Sequence, residues 1–293
     1  MNPPSSSVNF RPAWSVSLGS SPVGLALARE RDWLLAWDQS HWLYVLNHAG
    51  QRQGQFHFPG NLAGACCADD GSAYAAVGNK GEVAWLAPDL MPRWQHTLPN
   101  PALTCAMDPF GQYLAVAGSR GHVTFFHNQG QQKVSVQTPR PMHYLAFVPQ
   151  APVLIGCADY GLVAGFGLDG SMRWRDGLVA HAGSLSVNGD GAKIFIACFS
   201  EGLQGYDLNG KKLERMPVIE PYRLVSQSFV GQSILVAGMS NRLYLLDSVG
   251  KALGTQPVDK SIAALALSAM GDHATAALTD GPIVRWHIRQ EGT

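Results

Sequence analysis

Charge is scarce in this chain. Only 14% of its 293 residues are Asp, Glu, Lys or Arg, against about 25% in an ordinary soluble domain. The 21 basic residues balance 21 acidic ones, so no long-range field draws in nucleic acid or an anionic membrane, and neither is expected as a partner. Long apolar runs are missing too: no stretch reaches the roughly 18 residues that a membrane-crossing helix needs. The opening MNPPSSSVNF lacks the basic segment and apolar core of a secretory signal, so a soluble cytoplasmic protein is expected. Cysteine is sparse and odd in number: Cys66, Cys67, Cys105, Cys157 and Cys198 all lie inside apolar runs. They read as reduced, small core residues rather than a disulfide framework.

Local motifs for catalysis and metal binding are equally short. The ten histidines include no His-x-x-x-His pair, and no Cys-x-x-Cys occurs, so no local metal site is expected. His41, His143 and His181 fall in or near loops of one face, where a surface or hydrogen-bonding role suffices. Asp207-Leu208-Asn209-Gly210 starts like a calcium loop without the closing acid, and an Asx turn accounts for it. There is no Gly-x-Ser-x-Gly elbow and no phosphate-binding loop of the Walker type.

Glycine, by contrast, is abundant at 32 residues, and it is periodic. Written in blocks of forty from Ser21, ACCADDGSAYAAVGNKGEVAWL (65–86), CAMDPFGQYLAVAGSRGHVTFF (105–126) and LALSAMGDHATAALTDGPIVRW (265–286) fall into the same columns. Gly71, Gly111, Gly191, Gly231 and Gly271 share one column, and Gly50, Gly130, Gly170, Gly210 and Gly250 another. These columns predict two hairpin turns per repeat, and Gly81, Gly121, Gly161 and Gly281 mark a third. Between the turns lie short, nearly continuous apolar runs such as YLAVAG and KIFIAC, as expected of strands buried on both faces.

A four-stranded unit of about 40 residues that repeats along the chain predicts an all-β fold, a single seven-bladed β-propeller with four antiparallel strands, a to d, per blade. The propeller should occupy residues 11–290, with blades starting near residues 21, 61, 101, 141, 181, 221 and 261. Residues 1–10 and 291–293 read as tails, the first of them flexible. The last block lacks its fourth strand, while RPAWSVSLGS (11–20) puts Trp14 in the column of Trp94 and Trp174. The N-terminal segment is therefore predicted to supply strand d of the last blade and close the ring, which removes two open sheet edges.

LALSAMGDHATAAL, CAMDPFGQYLAVAG and LSVNGDGAKIFIAC resemble the a–b hairpin of WD40-type repeats. YDLNGKKL (206–213) and LLDSVGKAL (245–253) are similar to the c–d turn of quinoprotein-like propellers. The Gly-His and Trp-Asp dipeptides that mark WD40 repeats survive only as Gly121-His122, which is out of place, and Trp286-His287. Some quinone-dependent propeller enzymes carry a vicinal disulfide, but Cys66 and Cys67 are neighbours on a predicted strand and should point to opposite faces. No cofactor is expected.

The face built from the d–a and b–c connections varies most between repeats. From blade 3 to blade 6 it gathers Arg120, Arg140, His143, Tyr144, Tyr160, His181, Tyr222, Arg223 and Arg242, with Asp159, Glu201 and Glu220 among them. Arg and Tyr are the types enriched at binding hot spots, although a solvated loop rim can share this composition. The reading is a non-catalytic, monomeric scaffold that binds a protein or peptide on this face, with Arg140, His143, Tyr160, Tyr222 and Arg223 solvent-exposed. The alternative is an enzyme or small-ligand binder at the channel mouth, lactonase-like or quinoprotein-like.

Overall fold

The computed structural model describes residues 8–290. Blade 1 is built from strands a (Pro22–Ala28), b (Trp33–Asp38), c (Trp42–Leu46) and d (Arg52–His57), hydrogen-bonded in that order. The pattern recurs every forty residues, so seven antiparallel sheets follow one another. Strand a of each blade touches strand a of its neighbours, and strand a of blade 7 (Ile262–Leu267) returns to strand a of blade 1. The seven innermost strands thus enclose a central channel with a cavity of about 290 Å³, whose lining includes Cys66, Ser186, Gln227 and Leu267. Each apolar interface lies between blades: Cys66 and Trp85 of blade 2 pack with Cys105 and Leu114 of blade 3. Burial on both faces is what makes the strands continuous apolar runs.

The ring closes as the Trp14 column predicts. Val8–Val16 forms strand d of blade 7 and pairs antiparallel with strand c (Ile283–Gln290), from Val8 opposite Gln290 to Val16 opposite Ile283. This strand begins earlier than the predicted boundary: residues 8–10, assigned to the tail, are in it. Val8 is buried and packs against Leu235 and Leu245 of blade 6, where Gly254 leaves room for it. The tail expected at residues 1–7 and that at 291–293 lie outside the described residues.

The tryptophan column has a mechanical role between blades. The indole Nε1 of Trp14, Trp94 and Trp174 donates to the carbonyls of His48, Asn128 and Leu208, at 2.9, 2.9 and 2.8 Å, each in the next blade's c–d turn. Each ring lies against that turn's glycine, Gly50, Gly130 or Gly210, where a Cβ would clash at Gly50 and Gly210 and be tightly crowded at Gly130. Where the strand-d column holds Gly54 instead, the next turn carries Leu90, buried despite its positive φ of 65°. Large and small residues therefore alternate across the gap so that each is filled.

Strand a has a feature that spacing alone did not reveal. In every blade its pairing with strand b shifts register after the first residue, from Pro22/Gly24 in blade 1 to Ile262/Ala264 in blade 7. Such a bulge re-aims the extra side chain, and His143 and Arg223 are bulge residues.

Blade 5 departs from the four-strand prediction. It has strands a (Ala182–Val187), b (Ile194–Cys198) and c (Gly202–Tyr206) only. Strand d is begun by one bridge, Tyr206 to Lys212, and then abandoned. In the following chain Leu213 and Met216, three residues apart, are the side chains that reach the core, a spacing at odds with the two-residue alternation of a strand.

Candidate functional site

The predicted face residues divide into those that the fold exposes together and those that it consumes as structure. Arg140, on the link into blade 4, places its guanidinium 5.9 Å from the ring centroid of Tyr160, on the b–c turn of that blade. His181, on the link into blade 5, covers the same ring at 5.1 Å. Asp159 holds the group together: its Oδ2 is 3.6 Å from His181 Nδ1, its amide donates to His143 Nδ1 at 3.2 Å, and its carbonyl accepts from the Ala182 amide at 2.8 Å. Arg140, His143, Tyr160 and His181 are all exposed, so three connections assemble a cationic and aromatic stack open to solvent.

Around the stack, apolar side chains stand out of the same face over consecutive blades. They are Val179 at 81% exposure, Phe199, Val218, Ile219 and Met239 at 70%. Exposed apolar residues also occur on the opposite, a–b and c–d face, including Phe110, Val230, Val249 and Met270. Arg120 and Arg242 are exposed, on blades 3 and 6, away from the contacts of the stack.

Two of the five residues expected to be exposed, Tyr222 and Arg223, are not. Tyr222 is buried, with 0% of its surface accessible, and belongs to the core between blades 5 and 6. It opens strand a of blade 6, a column whose other members are Pro22, Leu62, Ala102, Met142, Ala182 and Ile262; apolar neighbours in that column were the available signal. Burial raises its phenol to about 12, so the hydroxyl stays protonated, and it accepts from the Ile219 amide at 3.3 Å. Arg223 is half-buried rather than exposed, because its bulge turns it across the seam to donate to the Ile262 carbonyl of blade 7. Tyr144 is half-buried as well, and its hydroxyl, raised to about 12 chiefly by burial and then by Asp159, donates to the Ala182 carbonyl of blade 5 at 3.2 Å.

The central channel is lined by strand a of all seven blades. Toward its a–b end Arg29 Nε donates to Asp69 Oδ1 at 3.0 Å, and the guanidinium lies 5.7 Å from the Phe229 ring centroid. Ser184, Ser186 and Ser226 turn their hydroxyls to the amides of Val225, Gln227 and Leu267 in the next blade, at 2.8, 3.0 and 3.0 Å. These contacts stitch blades 5, 6 and 7 together. Among the described residues no group of three or more His, Cys, Asp or Glu is placed to hold a metal ion, and no helix is long and apolar enough to cross a membrane.

Cys66 and Cys67 diverge as strand alternation requires. Cys66 packs between blades 2 and 3, with its sulfur 3.4 Å from that of Cys105, while Cys67 packs between blades 1 and 2. All five thiols are free, and only Cys67 is partly accessible. Burial pushes both the Cys66 and Cys67 thiols well up, which suppresses the reactive thiolate. Brief iodoacetamide treatment of the native protein should leave Cys66, Cys105, Cys157 and Cys198 unlabelled by mass spectrometry until denaturant is added. A native Cys66–Cys67 disulfide would contradict this arrangement.

The sheets and the closed ring define the chain as a seven-bladed β-propeller. No model of a known protein family matches the chain, and no curated protein matches it in sequence.

Proposed function

We propose that this propeller is a non-catalytic interaction platform that binds a protein or peptide partner on its d–a/b–c face. The observation that carries the reading is the coincidence, over blades 4 to 6, of the Arg140–Tyr160–His181 stack with the exposed Val179, Phe199, Val218, Ile219 and Met239. An arginine and an aromatic are residue types enriched at hot spots, and exposed apolar side chains on the same face offer further surface for a partner to cover. The WD40-type resemblance of the a–b hairpins points the same way, as fold analogy only. On this reading the protein works as a monomeric disc in the cytoplasm, a placement supported by its unbonded thiols.

The test is the double substitution Arg140→Ala and Tyr160→Ala. Both positions are exposed loops, so each should cost within about 0.5 kcal/mol of stability, while binding to a partner captured by the wild-type protein should weaken by about 2 kcal/mol. Full binding by a folded double variant would move the interface elsewhere.

A further inference from the structure

The repeat builds a hollow on the d–a/b–c face, between the link into a blade, that blade's b–c turn and its outer strand, and fills it differently from blade to blade. In blade 3 the hollow is a cavity of about 150 Å³ whose walls include Asn100, Thr124 and Ser135 and no Arg, Lys, Asp or Glu. In blade 5 it measures about 140 Å³ and holds Lys212 and Arg215, each already paired with one carboxylate, Asp176 at 2.9 Å and Glu201 at 3.2 Å. In blade 7 Lys260 lines it and donates to the Asp280 carbonyl. In blade 4 it is a cavity of about 360 Å³ lined by Arg140 from the link, Gly161 from the b–c turn and Arg175 from strand d.

The blade 4 hollow is the one of these four that gathers two guanidiniums with no carboxylate partner among the described residues. Gly161 makes room for the first of them. Its φ is 82°, and a Cβ there would stand 2.9 Å from Arg140 Nε, so the guanidinium lies directly on the turn backbone beside the Tyr160 ring. The Arg140 carbonyl is held by the Thr138 hydroxyl at 2.7 Å, which fixes the base of the side chain. Asp176 is the one acidic residue in the wall, and its carboxylate is already taken up by Lys212 at 2.9 Å and the Tyr206 hydroxyl at 3.0 Å. With Asp176 neutralised by Lys212, the two guanidiniums leave an excess of two positive charges at the hollow.

We propose that this hollow is a subsite for a phosphoryl group carried on a side chain of the bound partner segment. The planar N–H forks of Arg140 and Arg175 suit the oxygens of a phosphate, and their two charges match the nearly double negative charge of a phosphate monoester at neutral pH. A partner carboxylate brings a single charge and leaves one guanidinium unanswered. A phosphoryl group seated here adjoins Tyr160, so the rest of the segment can continue over the stack toward His181 and Val179. The inference rests on the platform reading above and specifies where on that face, and by what chemistry, the partner is held.

The experiment titrates inorganic phosphate, and acetate at equal ionic strength, into the wild-type protein and into Arg175→Gln by calorimetry at low salt. Arg175 is exposed and outside the Arg140–Tyr160–His181 stack, so the variant should keep the thermal unfolding of the wild type. Phosphate should bind and acetate should not, and Arg175→Gln should weaken phosphate by about tenfold or more, the worth of one charge-assisted contact. Synthetic peptides with random residues around a central phosphoserine are then selected on the wild-type protein. The best of them should bind at least about tenfold tighter than inorganic phosphate, through the added contacts on the face, and should lose that binding on phosphatase treatment. Unchanged phosphate affinity in Arg175→Gln, or acetate bound as well as phosphate, would overturn the subsite. Peptides that bind as well after dephosphorylation and protect the Tyr160 and His181 loops from hydrogen exchange would also overturn it, while leaving the platform reading standing. Phosphate held through Arg175 with no peptide bound more tightly would overturn the partner-borne assignment, count against the platform reading, and give the hollow to a free phosphate ester.

Discussion

A chain restarted at residue 21 is expected to lose about 3–5 kcal/mol of stability, the scale of removing a packed aromatic with its neighbours, and to self-associate. Residues 8–16 do three separate things. They pair along strand c of blade 7 from Ile283 to Gln290, with one bulge at Ala13. Val8 fills a gap beside Gly254 and joins the cluster of Leu235 and Leu245 in blade 6. Trp14 covers Gly50 and donates to the His48 carbonyl at 2.9 Å in blade 1. One segment therefore ties three blades, and its loss uncovers a strand containing Trp286, which is 4% exposed in the intact ring. An uncovered apolar strand is a template for pairing between molecules. Urea unfolding and size-exclusion chromatography of the shortened chain check this, and an unchanged midpoint with a monodisperse peak would contradict the closure.

The second large effect is electrostatic and sits at the same seam. Arg285, on strand c of blade 7, has a side chain only 2% exposed, and its Nη2 contacts both carboxylate oxygens of Asp32, at 2.6 and 2.8 Å. Asp32 belongs to the a–b turn of blade 1 and has a positive φ of 54°. Asp32→Ala leaves a guanidinium buried with no counter-charge and puts Ala in an unfavourable backbone region, at a cost of about 3 kcal/mol. That is the low end for a broken buried pair, because Asp32 itself reaches solvent. Asp32→Asn tolerates the same φ and keeps one acceptor, so it should fall between wild type and Ala. Pairing Asp32→Ala with Arg285→Met should recover part of the loss, since no charge then remains buried. Equal denaturation midpoints for Asp32→Ala and the wild type would show that the pair carries no weight in closing the ring.

Where the sequence was transparent, the reason was repetition. Glycines that must take positive φ at the c–d turns, and apolar columns buried on both blade faces, are set by local geometry, so they recur at forty residues and expose the blades. Trp14 was readable for the same reason, because its ring and indole contact copy those of Trp94 and Trp174. What stayed hidden depends on contacts between columns. The start of strand d at Val8 is set by Gly254 in a different blade. The truncation of blade 5 follows from LERMP, residues 213–217, in which Leu213 and Met216 pack three residues apart.

The face was legible in composition but not in geometry. Tyr160 and His181 were named as separate loop residues, and only the fold stacks them 5.1 Å apart. His143 and Arg223 share a column, and the strand-a bulge that aims both is invisible to spacing. Local hydrogen bonding then separates their fates: His143 turns back to its own b–c turn at Asp159, and Arg223 reaches over the seam to Ile262. Tyr222 belongs by composition with the Arg and Tyr residues of the face, yet its column is apolar throughout.

The central claim, that the d–a/b–c face over blades 4 to 6 is where a partner binds, is tested most directly by site-specific photocrosslinking in the source cell. A benzophenone side chain would be placed singly at Tyr160, Phe199 and Met239 on that face, and at Phe110, Val230 and Met270 on the other, all of them exposed. Irradiation should give the same discrete crosslinked species from the first three positions and none from the second three. Crosslinks confined to Phe110, Val230 and Met270 would place the interface on the opposite side of the disc and contradict the account.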